Sequence, residues 1–220
     1  MPLKSPAPRA TRLDANAWIA AALDALADGG VDAVRVEPLA KRLGVTKGSF
    51  YWHFADRRAL IQALLAHWRD GRIEAIRRQA QGPENPAAIL RRLVGLYTQR
   101  ANYRGLAIEL AIRLLARRDE TAGAAVRKVD VERLTHVTKL FRELGWPETE
   151  AEARAVLLYS YLFGQPLLHG AAASAPLRQS AVATLIAPPS ALLEAEPERS
   201  DPQKGEKAHH VGHGRDEDAG

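Results

Sequence analysis

Five side chains that can contact a polyanion lie close together in one short segment of the chain. They provide an ammonium group, hydroxyls, an indole N–H and an imidazole, all of which can donate hydrogen bonds to phosphate oxygens or to base edges. This outer row consists of Lys47, Ser49, Tyr51, Trp52 and His53, with Gly48 between the first two. Gly48 has no Cβ, so the backbone there can approach another molecule closely. Because large aromatic groups are seldom placed on a merely solvated surface, the pattern favours double-stranded DNA as the partner.

The neighbouring residues predict two short helices joined by a tight turn. Gly44 stands where a helix needs a left-handed residue to end, and Thr46 is placed to cap the next helix. Val45 and Phe50 can pack together as a hydrophobic staple, and Phe50 and Phe54 are expected to point inward. A helix-turn-helix protein lays such a second helix in the major groove. The alternative is a short amphipathic hairpin whose aromatic groups complete a core.

Apolar residues recur at helical spacing on both sides of this hairpin. The upstream pattern begins near Thr11 and stops at Gly29-Gly30, and the downstream pattern begins after a capping residue, Asp56. The hairpin is therefore predicted to be the middle of a small helical domain.

The segment from Arg12 to Leu65 resembles the TetR family of bacterial transcriptional repressors. The family signature is a three-helix module that ends in Tyr-x-x-Phe and is followed by a basic residue at the start of the fourth helix; here it reads Tyr51-Trp52-His53-Phe54, then Arg57. The resemblance implies two sets of DNA contacts, namely phosphate contacts from Thr46, Tyr51, Trp52, His53 and Arg57, and base or groove contacts from Lys47, Gly48 and Ser49.

Two positions depart from the family pattern. Arg35-Val36-Glu37-Pro38 occupies the entry to the second helix, where family members usually carry a Ser or Thr cap, and Arg57 replaces the more usual lysine. The helix is still expected, because proline is tolerated in a first turn and Glu37 suits the positive helix end.

Charge and composition agree with a nucleic-acid partner. The chain has a formal net charge of +5, and residues 35–58 alone hold six basic and two acidic groups.

Cysteine is absent, which excludes disulfides, thiolate metal sites and cysteine nucleophiles. The sequence shows no secretion signal and no apolar run of membrane-spanning length, so we expect a cytoplasmic protein associated with the nucleoid and no membrane partner.

The predicted fold is all-α, with about nine helices. We expect a disordered arm at 1–10, a helix-turn-helix DNA-binding domain at 11–55 and a helical ligand-binding and dimerisation domain at 56–187. The first helix of that second domain, 56–81, links the two. Residues 188–220 are expected to form a disordered tail.

The resemblance also implies a homodimer and a small-molecule effector. In the family arrangement the helices predicted at about 119–144 and 148–170 form a four-helix interface, which suits a two-fold protein on a palindromic operator; the alternative is that their apolar faces belong to the monomer core. The candidate pocket residues are polar or amphipathic groups on apolar helices, namely Tyr97, Tyr103, Glu109, Arg113, His136, Tyr159, Tyr161 and His169. An ordinary ion pair between Glu109 and Arg113, and a core position for His136, are the simpler interpretations.

The function expected from these observations is a ligand-responsive regulator, a repressor that leaves its operator when a ligand moves the fourth helix. The alternatives are a helical protein that binds nucleic acid without sequence preference, and a helical enzyme. No nucleophile elbow, H-E-x-x-H, Walker loop or glycine fingerprint occurs, so no catalytic residue, metal or cofactor is expected.

Overall fold

The computed structural model describes residues 14–80, 85–98, 102–168 and 174–190. These ranges hold nine α-helices and no strand, which confirms the predicted all-α class. The helices are Ala15–Gly29 (α1), Val36–Leu43 (α2), Lys47–Phe50 (α3), Arg57–Gln79 (α4), Pro86–Thr98 (α5), Tyr103–Ala116 (α6), Glu120–Glu143 (α7), Glu148–Gly164 (α8) and Ala175–Ile186 (α9). The predicted arm at 1–10, most of the predicted tail and His169 lie outside the described residues.

Aspartate side chains begin three of the helices. Asp14, Asp56 and Asp119 have extended backbones, and each carboxylate accepts the N–H three residues later, at 2.7–2.9 Å. Such caps satisfy donors that a helix otherwise leaves unpaired at its start. The cap at Asp56 was predicted. The helix expected to begin near Thr11 begins at Ala15 instead, because Asp14 caps it there.

The helix-turn-helix segment shares one apolar core with the long helices that follow it. Trp18 of α1 and Phe50 of α3 are completely buried, and the same cluster continues through Leu64 of α4 to Ile112 of α6 and Val129 of α7. The domain boundary placed at residue 55 stays a prediction, and packing is continuous across it. A second cluster joins α5, α7, α8 and α9.

Helix α6 is most deeply buried along one stripe of its surface. Leu106, Glu109, Ile112 and Leu115 recur every three residues and are buried, whereas Leu114 is 64% exposed. That spacing marks a single stripe along the helix. Ile108, Ala111 and Ala116 beside this stripe are partly buried against the same core.

A buried charge network lies on this inner face of α6. Glu109 is fully buried, and Arg133 of α7, also buried, donates from Nη1 and Nη2 to its two oxygens at 2.7 Å each. Arg113 donates from Nε to Glu109 at 2.9 Å, which confirms the predicted ion pair. Arg72 of α4 lies 3.8 Å from the same carboxylate, and Arg133 also donates to the hydroxyl of Tyr97 on α5 at 3.0 Å. One carboxylate thus holds α4, α6 and α7 together.

The protonation of Glu109 follows from these contacts. Burial alone raises the pKa of this carboxyl, but the hydrogen bonds and charge of Arg133, with the charges of Arg113 and Arg72, outweigh burial and hold the pKa below its ordinary value of 4.5. A carboxyl whose pKa falls on folding stabilises the fold above its unfolded pKa. That contribution is lost as pH falls through the lower, folded pKa.

We predict that Glu109→Gln lowers the free energy of unfolding by about 3–5 kcal/mol at pH 7, because the charge of Arg133 is left buried without its partner. The difference from wild type should begin to shrink as the pH falls below the ordinary value of 4.5, and it should disappear once the pH passes the lower pKa of folded Glu109. Urea unfolding followed by circular dichroism across this pH range measures both effects. Glu74→Gln is the control, since Glu74 pairs with Arg78 on the surface; an equal loss in both variants would contradict the prediction.

Candidate nucleic-acid interface

The turn of the helix-turn-helix is built on a left-handed glycine, as predicted. Gly44 has φ of 66° and ψ of 29°, a conformation that costs other residues more. The N–H of Val45 donates to the carbonyl of Ala40 at 3.0 Å and that of Gly44 to Lys41 at 3.2 Å. This pair of bonds is the Schellman arrangement that ends a helix and redirects the chain.

Helix α3 is one turn long, and its aromatic residues fix its orientation. Phe50 is completely buried, with its ring centroid 5.3 Å from that of Trp18 in an edge-to-face contact and 5.5 Å from that of Phe54. Phe54 is also buried, so the predicted inward direction of both phenylalanines is confirmed. Because these rings define the inner side of the segment, the remaining side chains are directed away from the core.

The outer row is accessible to a partner. Tyr51 is 55% and Trp52 75% exposed, Lys47 and Gly48 are exposed, and Ser49 and His53 are half-buried at the edge. No residue of the row is enclosed in the core. The segment therefore presents its donors and rings together on one surface.

Thr46 occupies the capping position of α3 without making the predicted side-chain bond. Its backbone is extended, with φ of −78° and ψ of 153°, and its carbonyl accepts from the N–H of Ser49 at 3.0 Å. The threonine hydroxyl makes no capping hydrogen bond. The expected cap was thus wrong in its hydroxyl contact, and that hydroxyl is not committed to the helix.

Lys47 is paired at the protein surface. Its Nζ lies 2.5 Å from Oε1 of Glu37, at the start of α2, and both side chains are exposed. Their hydrogen bond raises the pKa of Lys47 and lowers that of Glu37. Lys47 must leave Glu37 to contact a base, but an exposed ion pair is cheap to exchange.

Arg57 is held by the protein backbone, which the resemblance did not indicate. Its Nε donates to the carbonyl of Val34 at 2.6 Å and its Nη2 to that of Val31 at 2.5 Å. The start of α4 is thereby tied to the connection between α1 and α2. Arg57 acts here as a positioning residue, and the phosphate contact implied for it stays a prediction for its remaining nitrogen. The exposed Arg58 beside it forms no ion pair within the described ranges.

The candidate pocket residues divide into two sets. Tyr97, Glu109, Arg113 and Tyr159 come together around the buried Arg133, which sequence reasoning missed. The remaining described candidates lie elsewhere: Tyr103 is exposed, Tyr161 donates to the carbonyl of Arg178 at 3.4 Å, and Nε2 of His136 is buried without a hydrogen-bond partner. Arg133 falls in line with the buried residues Val129 and Val137 of α7, and this spacing is the sequence signal of its burial.

Within the described ranges no three His, Asp or Glu side chains are grouped so as to hold a metal ion. The helices in the same part of the chain are too short or too polar to cross a membrane.

Comparison with known proteins agrees with the geometry of the hairpin. Residues 19–64 match the family model described as bacterial regulatory proteins, tetR family. The tetracycline repressor protein class A from transposon 1721 of Escherichia coli is 50% identical over 54 residues, 24% of this chain and 25% of that protein. The HTH-type transcriptional regulator AcrR of Shigella flexneri is 33% identical over 75 residues, 33% of this chain and 34% of that protein. The chain thus matches a quarter to a third of these relatives' length.

The likeness in fold extends further along the chain. A transcriptional regulator of known structure from Rhodococcus sp. Rha1 superposes with a TM-score of 0.63 over 79% of this chain and 94% of its own, at 22% sequence identity. At that identity the likeness shows the fold alone. Outside the N-terminal segment, the chain therefore shares its helical architecture with such proteins.

We predict that Arg57→Ala lowers the free energy of unfolding by about 1.5–3 kcal/mol, because two hydrogen bonds from a charged group to backbone carbonyls are lost. Arg58→Ala is the matched control and should change stability by no more than about 0.5 kcal/mol, as usual for an exposed residue. Urea unfolding of the two variants tests the difference, and equal stabilities would show that the bonds to Val31 and Val34 do not position α4.

Proposed function

We propose that this chain, which belongs to the TetR family of bacterial regulatory proteins, is a homodimeric repressor that binds a palindromic DNA operator and releases it when a small molecule binds. The observation that carries the proposal is the outer row, which the buried Phe50 directs away from the core on a one-turn helix. A regulator of this kind needs such a surface twice, once in each subunit.

In this proposal the N-terminal end of α3 enters the major groove. Lys47, Gly48 and Ser49 lie nearest the bases. Phosphates are contacted from Thr46, Tyr51, Trp52 and His53, and from α4 by the remaining nitrogen of Arg57, with Arg58 added beside it. Exposed aromatic N–H and O–H groups suit phosphate contacts because they donate hydrogen bonds without a large loss of side-chain entropy. Base contacts give the sequence preference, and phosphate contacts fix the orientation.

The second copy is proposed to pack on the outer face of α7 and α8. Val156 and Leu157 of α8 are 51% and 55% exposed, and Val131 of α7 is also exposed. Ala151 and Ala155, on the other side of α8, are completely buried within the monomer. The inner face of α8 thus belongs to the monomer core, as the alternative interpretation expected. The exposed apolar residues on the outer face are the ones proposed to contact the second copy.

Selection of bound duplexes from a random pool tests the proposed function. We expect a two-fold symmetric site whose half-sites are about one DNA turn, roughly 34 Å, apart. Binding should favour this site over random DNA by at least about a thousandfold at physiological salt. Enrichment of no sequence, with one salt dependence for every duplex, would instead favour a nonspecific nucleic-acid-binding protein.

Gly48→Ala tests how closely the backbone approaches that site. A Cβ at Gly48 would meet only the hydroxyl oxygen of Thr46, at 3.7 Å, so the fold accepts the alanine and the helix gains slightly from it. We expect operator affinity to fall by tenfold or more in a mobility-shift assay, because the added methyl group meets the DNA. Gly71→Ala is the control, with nothing within 4 Å of the new Cβ; unchanged affinity in both variants would remove Gly48 from the interface.

Leu157→Glu tests the proposed dimer. A carboxylate on the outer face of α8 should give monomers in sedimentation experiments, and should weaken operator binding by about a hundredfold or more because the two half-sites are no longer bound together. Leu114→Glu places the same charge on a comparably exposed leucine of α6, outside the proposed interface. A dimeric Leu157→Glu protein would exclude this face as the interface.

A further inference from the structure

A small cavity lies between α6, α7 and α8, beside the buried charge network. Its volume is about 180 Å³, below the roughly 300–1,000 Å³ of pockets for drug-sized ligands. Charged and aromatic side chains form much of its wall, namely Arg113, Asp130, Arg133, Tyr159 and Phe163. The cavity is therefore suited to a molecule smaller than a drug, with a single ring at most and at least one polar group.

Among the described residues, the charge network beside the cavity is not neutral. In that part of the chain it holds the three guanidinium groups of Arg72, Arg113 and Arg133 and the two carboxylates of Glu109 and Asp130. Because an unbalanced charge in a partly buried site is unfavourable, a bound anion would stabilise the network. A cation would add to the excess.

Arg113 is the arginine best placed to hold such an anion. Its Nε donates to Glu109, and Nη1 and Nη2 donate to the two oxygens of Asp130, which leaves two of its five N–H donors. Arg133, by contrast, is buried and committed to Glu109. The side chain of Asp130 is 33% exposed, so a competing carboxylate can replace it at a modest cost.

The aromatic part of the wall favours a flat apolar body. The carbon at the centre of the Arg113 guanidinium lies 4.0 Å from the ring centroid of Phe163. The rings of Phe163 and Tyr159 are stacked, with centroids 5.7 Å apart and an angle of 27° between their planes. Arg113 covers this face of Phe163, so a planar group can pack on the ring where a bound carboxylate draws Arg113 aside.

Tyr159 adds a neutral donor to the same wall. Burial raises the pKa of its phenol, so the hydroxyl stays protonated. None of the hydrogen bonds among the described residues uses that hydroxyl, although the ring is buried and lines the cavity. A donor of this kind can bind a carboxylate oxygen that also accepts from an arginine.

We propose that this cavity binds a small organic monocarboxylate with a single flat ring, and that this molecule is the effector. The effector role of this molecule rests on the proposed function, whereas its binding to the cavity does not. The carboxylate binds Arg113 in competition with Asp130 and accepts from Tyr159, and the ring packs on Phe163. Val156, on the proposed dimer face, also lines the cavity, so the ligand lies close to the partner subunit.

Ion pairs and a hydrogen bond connect α6, which lines this cavity, to the helices of the proposed DNA-binding segment. Arg104, near the start of α6, pairs with Asp24 of α1 at 2.6 Å, and Asp24 pairs with Arg42 of α2 at 3.1 Å. Arg72 of α4 donates to the carbonyl of Gly105 at 3.4 Å. A ligand that draws Arg113 away from Asp130 acts on α6 and hence on both connections, provided that it binds the released state more tightly than the DNA-bound state.

The binding test uses the full chain without DNA and benzoate as the probe. Titration calorimetry and thermal unfolding should show binding of benzoate and no comparable binding of benzamide, which has the same shape without the charge. Arg113→Gln should lower benzoate affinity at least tenfold, and Tyr159→Phe severalfold. Equal binding of benzoate and benzamide, or no benzoate binding at millimolar concentration, would overturn the proposal.

Asp130→Asn gives a prediction of opposite sign. It removes the carboxylate that competes for Arg113, so benzoate affinity should rise severalfold. Glu132→Gln is the matched control, since it removes one negative charge two positions along α7 from an exposed pair with Arg77. An unchanged or lower affinity in Asp130→Asn, or an equal rise in both variants, contradicts the competition.

The two proposals fail in different experiments. Benzoate binding is measured without DNA, so a protein that binds benzoate at Arg113 but selects no operator contradicts the proposed function and supports the carboxylate site. A protein that selects an operator and keeps it in saturating benzoate contradicts the effector role.

Discussion

The buried carboxylate of Glu109 is the constraint on which the helical body depends. A charge without contact with water is tolerated only where opposite charges and hydrogen bonds replace the solvent, and Arg133 supplies both. Because those contacts come from α7, with Arg72 from α4 and Arg113 from α6 itself, the packing of three helices is fixed by one group. The bidentate pair adds a geometric requirement to the apolar contacts between these helices.

The same constraint connects the helical body to the hairpin. Helix α4 is held to the network by Arg72 near its middle and to the connection before α2 by Arg57 at its start. Helix α1 packs on both α4 and α6 within the core around Trp18. A displacement of α6 therefore cannot be absorbed locally, because close-packed helices transmit strain. The hairpin moves with the body or the shared core is disrupted.

The sequence predicted the elements well and the contacts between them poorly. Gly44 and Asp56 act through neighbours in the sequence, so turn and capping rules predicted the end of α2 and the start of α4. The partners of Arg57 and Arg133 lie more than 20 positions away. An arginine on a helix has no local signature of its partner, which is why Arg133 was missed and Arg57 was assigned only to DNA.

Lys47 and Arg57 differ in how firmly the rest of the protein holds them. Both are basic and both belong to the segment that resembles DNA-binding relatives. Lys47 pairs with an exposed carboxylate, and water or a base edge can replace that partner with little change in free energy. Arg57 donates two hydrogen bonds to backbone carbonyls, and both bonds would be lost if it left. Lys47 can therefore exchange its partner at little cost, whereas Arg57 ties the start of α4 to the connection between α1 and α2.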